Sequence, residues 1–537
     1  MNKKYLILIL IPLIFWYSCK NKKTHLNTRD TTVNEITSFN NLFLDSVQLE
    51  SFLKTHTEFK TFENQYLDFY KQRNYEYAWF DSTGIAEQSH NFINLLSTTM
   101  DELQDSSLYN KKLMDLYDTF ESDTTHVARK KDVLLTELLL TGQFFAYAAK
   151  VYKGSDINAA ELGWFIPRKK VNLSALLDST LKSKVKATDQ YISINSQYKK
   201  LQEYLDKYFV LEKKNSNEWD DTIAVPAKLL KKRASSPIIP QIKRRLWLLG
   251  DMNIEDVSEK FDSALLSATK RFQWRMGLSP DGVIGAKMIE ELNIPLRQRI
   301  SQLLVNMERA RWMPPEKDTN YIMVNIPEYK MHVYDSGRLM FDMNVIVGKA
   351  TNGTVIFKGN LKYIVFSPYW NVPTSIVKKD ILPSINKDRH YLQKNNMEIT
   401  GRSNGIPVVR QKPGANNSLG LVKFLFPNNY DIYFHDTPNR DLFDASSRSF
   451  SHGCIRLGEP KKFAQYLLRS DTATTWRSSV IDSCMHLPSE KWVTLKKTIP
   501  VFIVYFTAWI DDNGQLNFRK DIYGHDQKMS EKLFMNK

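Results

Sequence analysis

Apolar positions recur with three different periods along the 537-residue chain, and each period predicts a different structure. From Tyr5 to Tyr17 they are continuous, preceded by Asn2-Lys3-Lys4 and ended by Ser18-Cys19 and the polar Lys20-Asn21-Lys22-Lys23. Such a run matches the roughly 7–15 residues of an export h-region and is short of the roughly 20 that cross a bilayer. Residues 1–18 therefore read as a signal peptide, and the Thr/Asn-rich residues 19–40 as a flexible tether. From 41 to 236 the period is helical. Phe62, Tyr66, Phe69 and Tyr70 share one face, as do Phe92, Leu95, Leu96, Met100 and Leu103, and Leu134, Leu135, Leu138 and Leu139 mark a further helix. The charged stretch 209–236, broken by Pro226 and followed by Pro237, reads as a linker or loose insertion within this helical domain.

A second helical unit follows over 237–297. One helix carries Leu246, Trp247 and Leu249 and stops at Gly250. Asp262 caps another whose Leu265, Ala268 and Phe272 share a face, and a short third helix runs to Leu292 after an Asp281-Gly282 turn. Residues 298–318 read as a linker helix. After 319 the period falls to about two, with strands expected over 321–326, 330–334, 339–347, 361–366, 421–426, 431–435 and 501–509. Short connections predict a mostly antiparallel β domain over 319–537. The Lys/Asn-rich stretch at about 374–410 interrupts it and reads as a lid insertion. The fold class expected is α+β multidomain.

Charge and cysteine content narrow the chemistry. A net charge of +15 favours an anionic partner. The export signal argues against nucleic acid and for acidic lipid or envelope polymer. Three cysteines, Cys19, Cys454 and Cys484, are too few for a disulfide scaffold, so the last two either pair or leave a thiol for chemistry. The surroundings of Cys454 favour chemistry. Ser451-His452-Gly453-Cys454-Ile455-Arg456 follows a Ser-rich loop, and Tyr433-Phe434-His435-Asp436 closes a predicted strand upstream. A sulfur nucleophile needs an imidazole to take its proton and backbone donors for the oxyanion. His435 can supply the first, as a thiolate–imidazolium partner, and the amides of Gly453 and Cys454 the second. His435, His452 and Cys454 could instead be read as zinc ligands, but no further ligand follows at a metal spacing, so neither metal nor cofactor is expected. Cys484, with only His486 nearby, reads as an inert thiol.

Three resemblances then sharpen the reading. Ser18-Cys19 after the apolar run resembles a bacterial lipoprotein signal, although Trp16 and Tyr17 depart from it; this implies lipidation of Cys19 and a membrane-anchored, periplasmic-side protein. The words RLWLLG, ATKRFQWRMGLSPDGVIG and IEELN resemble a three-helix peptidoglycan-binding module. The H…SHGC pattern, with FSPYWNVP, VRQKPGANNSLGLVKFLFPN, IYFHDTP and FYKQRNYEYAWFD, resembles the large periplasmic branch of the L,D-transpeptidases, which carry a YkuD-type catalytic domain. That resemblance implies a helical scaffold, a binding module and a lidded catalytic domain. It implies Cys454 as nucleophile, His435 as base, Gly453 with the Cys454 amide as oxyanion hole, and His452 as orienting or merely packing. It also implies Arg456 holding a substrate carboxylate or an internal ion pair, with Ser451, Trp370 and Tyr433 about the peptide groove or, for the aromatics, in the core. Ile455-Arg456 after the cysteine departs from many family members and leaves the role of Arg456 open. The substrate implied is a peptidoglycan tetrapeptide stem, joined 3→3 to a second stem with release of D-alanine, and carbapenems are implied as inhibitors. The competing readings are a thiol-dependent L,D-carboxypeptidase or hydrolase, and a non-catalytic lipoprotein that tethers membrane to wall.

Overall fold

The computed structural model describes residues 42–81, 84–103, 106–122, 130–154, 157–167, 172–182, 196–314, 319–471 and 476–534. The expected leader, tether and Cys19 lie outside these residues. Among the described residues no helix is long and apolar enough to cross a membrane. Contacts divide the chain into two compact units.

The first unit takes most of residues up to 146, with helices at Ser46–Thr55 and Glu63–Gln72 and a hairpin of β1 (Phe80–Asp81) and β2 (Gly84–Ile85). Its centre is a buried carboxyl: Glu137 accepts hydrogen bonds from the amides of Ala78 and Trp79 and from the Tyr70 hydroxyl, at 2.8, 2.9 and 2.8 Å. Burial, opposed by those donors, raises its pKa to about 7.

The second unit holds the rest. A helix, Ser196–Asn215, runs into the stretch read as loose, and Trp219 and Ile223 beyond it are buried. Trp219 Nε1 donates to Leu292 O at 3.1 Å, so an indole anchors a segment whose charge and prolines had suggested a linker. The three helices of the small module are Ile239–Leu248, Ser263–Arg275 and Ala286–Leu292. Asp262 caps the second, its Oδ1 accepting from Leu265 N at 2.8 Å, and Phe272 is fully buried. Helix Leu296–Trp312 follows.

The β domain begins with β3 (Tyr321–Asn325), β4 (Lys330–Asp335), β5 (Arg338–Gly348) and β6 (Lys358–Phe366). The insertion contributes β7 (Trp370–Asn371), β8 (Met397–Ser403) and β9 (Ile406–Gln411), which form a separate three-stranded sheet. Its small core is Val372, Val377, Ile381 and Val409. Then come β10 (Val422–Leu425), β11 (Phe434–His435), β12 (Ser449–Ser451), β13 (Ile455–Leu457), β14 (Lys491–Val504), β15 (Ala508–Ile510) and β16 (Leu516–Phe518). The main sheet runs β5-β13-β11-β10-β6-β14-β3-β4, and β4 pairs back onto β5, so the strands close into a ring with β12 beside β5. Antiparallel pairs dominate, as expected. Three pairs, β11–β13, β12–β5 and β14–β3, are parallel.

Two strand expectations need correction. The one over 501–509 begins ten residues earlier and breaks after Val504, because side chains replace the ladder there. Asn325 Oδ1 accepts from Phe506 N at 2.9 Å and Asn306 Oδ1 from Thr507 N at 2.9 Å. The one over 431–435 shortens to Phe434–His435, and Asp431 takes a left-handed φ of 55°. The small module is joined to the last hairpin through Arg275. This buried guanidinium donates to Asp251 Oδ1 and to Leu516 O, both at 2.8 Å.

Candidate active site

The parallel pairing of β11 with β13 sets Phe434 opposite Ile455 and His435 opposite Arg456. Strand side chains alternate, so Phe434, Ile455 and Leu457 enter the core, all fully buried, while Tyr433, His435, Cys454 and Arg456 share the other face. Phe434 packs against Phe426 and Phe463, with ring centroids 4.7 and 6.2 Å away. The aromatic core thereby fixes where the histidine stands. The Tyr433 and His435 rings are 5.8 Å apart.

His435 is buried and its Nδ1 meets the backbone oxygen of Asp436 at 2.6 Å. A carbonyl only accepts, so Nδ1 carries the proton and Nε2 is left as the basic nitrogen. The Asp436 carboxylate has other work: Oδ2 accepts from Leu421 N at 2.9 Å, Oδ1 from Thr437 N at 2.7 Å, and Arg440 also pairs with it. A Cβ on Gly420 would lie 2.4 Å from that carboxyl carbon, and Gly420 has a φ of 62°, so glycine is required on both counts. The group orienting the imidazole is thus a backbone oxygen rather than a carboxylate.

Cys454 and Cys484 are both free thiols. Cys484 is buried, 4% exposed, whereas Cys454 is half-buried and its thiol donates to Asp431 O at 3.4 Å. Burial pushes the Cys454 thiol up, opposed by the amide and hydroxyl of Tyr433 and by the charge of Arg456. Burial and then the Arg456 charge push the His435 imidazolium down to about 3. Both effects favour neutral partners. These directions oppose the expected thiolate–imidazolium pair in the absence of substrate, and no hydrogen bond joins His435 to Cys454.

The loop between β12 and β13 commits most of its polar groups. Ser451 Oγ donates to Cys454 O at 2.6 Å and accepts from Gly453 N at 3.1 Å. This buried hydroxyl is spent inside the loop rather than offered to a substrate, and the Gly453 amide expected in the oxyanion hole is occupied. The Cys454 amide makes no hydrogen bond to a described residue. Gly453 has a φ of 119°, a conformation that glycine adopts at little cost. His452 is exposed on the loop. Arg456 makes no ion pair among the described residues, and its buried Nε has no partner. Trp370 pairs with Gln411 in the insertion sheet and packs on that sheet's own core.

Sequence reading overlooked Thr354, whose Oγ1 donates to Gly453 O at 2.8 Å, and Tyr523, whose hydroxyl donates to Gly348 O at 2.5 Å. Neither has a local motif, because each reaches the loop only through sheet closure. A cavity of about 1360 Å³ lies elsewhere; its lining includes Trp274, Tyr329 and Arg448 but none of Tyr433, His435, Cys454 or Arg456. Among the described residues no three His, Cys, Asp or Glu side chains cluster as metal ligands.

Three stretches of the chain match known protein families. Residues 319–481 match the L,D-transpeptidase catalytic domain family, 64–205 a family described as "Scaffold domain", and 235–292 one described as "Putative peptidoglycan binding domain". A Haemophilus influenzae protein described as "Putative L,D-transpeptidase" is 32% identical over 246 residues, which span 43% of this chain and 49% of that protein. The chain thus matches about half the length of that relative. An L,D-transpeptidase structure from Stackebrandtia nassauensis aligns at 15% identity over 53% of this chain and 96% of its own, with a TM-score of 0.20. One from Xylanimonas cellulosilytica aligns at 14% over 52% and 100%, with a TM-score of 0.18. At such scores the two overlays add nothing to the fold described above.

A neutral resting thiol has a direct signature. Alkylation of Cys454 by iodoacetamide, followed by peptide mass spectrometry, should rise about tenfold per pH unit from pH 6 to pH 9 without levelling. A plateau already at pH 6 would mean that the thiolate–imidazolium pair exists before substrate arrives.

Proposed function

We propose that this chain, whose residues 319–481 match the L,D-transpeptidase catalytic domain family, cross-links peptidoglycan through an acyl-thioester on Cys454. The observation that carries the reading is the shared face of Tyr433, His435, Cys454 and Arg456 on the parallel β11–β13 pair. It offers a thiol, a basic nitrogen and an unpaired guanidinium.

Cys454 leaves Asp431 O and attacks the carbonyl carbon of the third, L-centred residue of a tetrapeptide stem. His435 Nε2 takes the thiol proton as the C–S bond forms. The developing oxyanion is met by a backbone amide. Collapse of the tetrahedral intermediate breaks the bond to D-alanine, and His435 returns the proton to the departing amine. A side-chain amine of the third residue on a second stem then attacks the thioester. It gives its proton to His435 and forms the 3→3 amide, and the sulfur leaves as the thiol. Burial and the Arg456 charge disfavour the imidazolium, which supports a neutral His435 with Nε2 free to accept a proton. Arg456, with no internal carboxylate partner, supports binding of a stem carboxylate. The insertion's small sheet supports a lid role, in which exclusion of water favours amine over water as acceptor. The match over 235–292 supports attachment to the same polymer.

The leader and the binding module support a cell-envelope location, and Cys19 is proposed as the site of lipid attachment. Wild type should partition into a detergent phase, and Cys19→Ala should be released or stay uncleaved; identical partitioning of the two would place the anchor in the apolar run itself.

Acylation by a carbapenem tests the site. Imipenem should add one drug mass to the peptide containing Cys454 in wild type and in Cys484→Ala, and none in Cys454→Ala. His435→Ala should acylate about 10²–10⁴-fold more slowly at pH 7, regaining part of the rate toward pH 9.5 as the thiol ionises unaided. Adduct on Cys484, or a His435→Ala deficit that does not change with pH, would overturn the assignment.

A further inference from the structure

We propose that Thr354 is a positioning residue that aims the Cys454 amide into the reacting site and so makes that amide the oxyanion donor. The proposal rests on the reading of Cys454 as an acylated nucleophile and goes beyond it by naming what sets the donor.

In a trans peptide the C=O and N–H point in opposite directions. The Gly453 carbonyl and the Cys454 amide belong to one such unit, so whatever fixes the first fixes the second. Thr354 Oγ1 donates its single hydrogen to Gly453 O at 2.8 Å and accepts from Gly348 N at 2.9 Å. With one hydrogen and both contacts made, the hydroxyl has one orientation available. Thr354 is 2% exposed, so water does not compete for the Gly453 carbonyl. The Cys454 N–H is thereby directed away from Thr354. It has no partner among the described residues, as a donor kept for a charge that appears only during reaction must be.

The neighbouring groups exclude the other candidate. The Gly453 amide is held by Ser451 Oγ, whose own hydrogen goes to Cys454 O. Only a pinned carbonyl gives the loop a defined direction, since Gly453 at a φ of 119° has no side chain to restrain it. Thr354 is in turn held from the C-terminal segment. The Tyr523 hydroxyl donates to Gly348 O at 2.5 Å and accepts from Thr354 N at 3.3 Å. Behind it the Tyr505 hydroxyl accepts from Tyr523 N at 2.9 Å and donates to Asp521 Oδ1 at 2.7 Å. A chain of hydrogen bonds through two tyrosine hydroxyls and the Gly348 and Thr354 backbone thus runs from Asp521 to the nucleophile loop.

Two rates on the same thiol test this. Acylation by p-nitrophenyl acetate passes through an oxyanion, whereas alkylation by iodoacetamide, a displacement at saturated carbon, does not. Both are read on the full chain and corrected with Cys454→Ala. In Thr354→Val, which keeps shape and loses the hydroxyl, acylation should fall about tenfold or more while alkylation stays within about twofold. Thr354→Ser should restore most of the acylation rate. Tyr523→Phe, which leaves Thr354 in place, should lower the ratio of acylation to alkylation by a smaller factor, and it serves as the readout if Thr354→Val does not fold. Equal loss of both rates, or no loss in either, would overturn the proposal. So would wild type acylating no faster than Cys454→Ala. Because p-nitrophenyl acetate needs no stem-peptide pocket, a failure to process stems would sink the transpeptidase reading and leave this result standing.

Discussion

The site depends on the parallel register between β11 and β13. That pairing turns two short segments, distant in sequence, into one face carrying a thiol, an imidazole, a phenol and a guanidinium. Its opposite face is Phe434, Ile455 and Leu457, each fully buried. The register is therefore held by core packing rather than by the polar groups themselves. A slip of β11 by one residue would send His435 into the core and bring Phe434 to the surface, at a cost of about 2 kcal/mol for the exposed phenyl ring alone.

On that frame the chemistry is held in reserve. Burial raises the thiol and depresses the imidazolium, both favouring the neutral forms, and the sulfur's hydrogen lies on Asp431 O. A protonated thiol is less open to oxidation than a standing thiolate would be. The backbone around it is correspondingly committed. Ser451 and Thr354 between them satisfy the Gly453 amide, the Gly453 carbonyl and the Cys454 carbonyl, leaving the Cys454 amide open. Sulfur and donor are thus oriented by different parts of the chain, one by the sheet and the other by hydroxyls reaching in from the turn after β5 and from the C-terminal segment.

Much of this was legible in sequence where chemistry is local. Helices at Glu63–Gln72, Lys130–Ala148 and Ser263–Arg275 follow from periodicity, and the cap at Asp262 from one side chain before an apolar face. Ser451 to Arg456 stood out as a candidate nucleophile site because thiol, glycine and imidazole stood together. The rest depends on long-range pairing. Closure of the ring through β4 and β5, and the parallel β11–β13 contact, leave no local trace. Thr354 and Tyr523 belong to no local motif, and only closure brings them to Gly348 and Gly453. Ser451 misled for the opposite reason: it sits in the motif but turns its hydroxyl inward. Trp219 misled by surroundings, since charged neighbours and prolines hid a buried indole.

The central claim is that acyl transfer runs through sulfur on Cys454, and the most direct test is the mass of the protein in turnover. Intact-protein mass spectrometry after mixing with a purified tetrapeptide stem should show a gain equal to the stem minus its terminal D-alanine. Peptide mapping should place it on the fragment holding Cys454. Adding an acceptor stem should then discharge the adduct as a cross-linked dimer. Dimers accumulating with no such adduct, or forming equally with Cys454→Ala, would contradict the account.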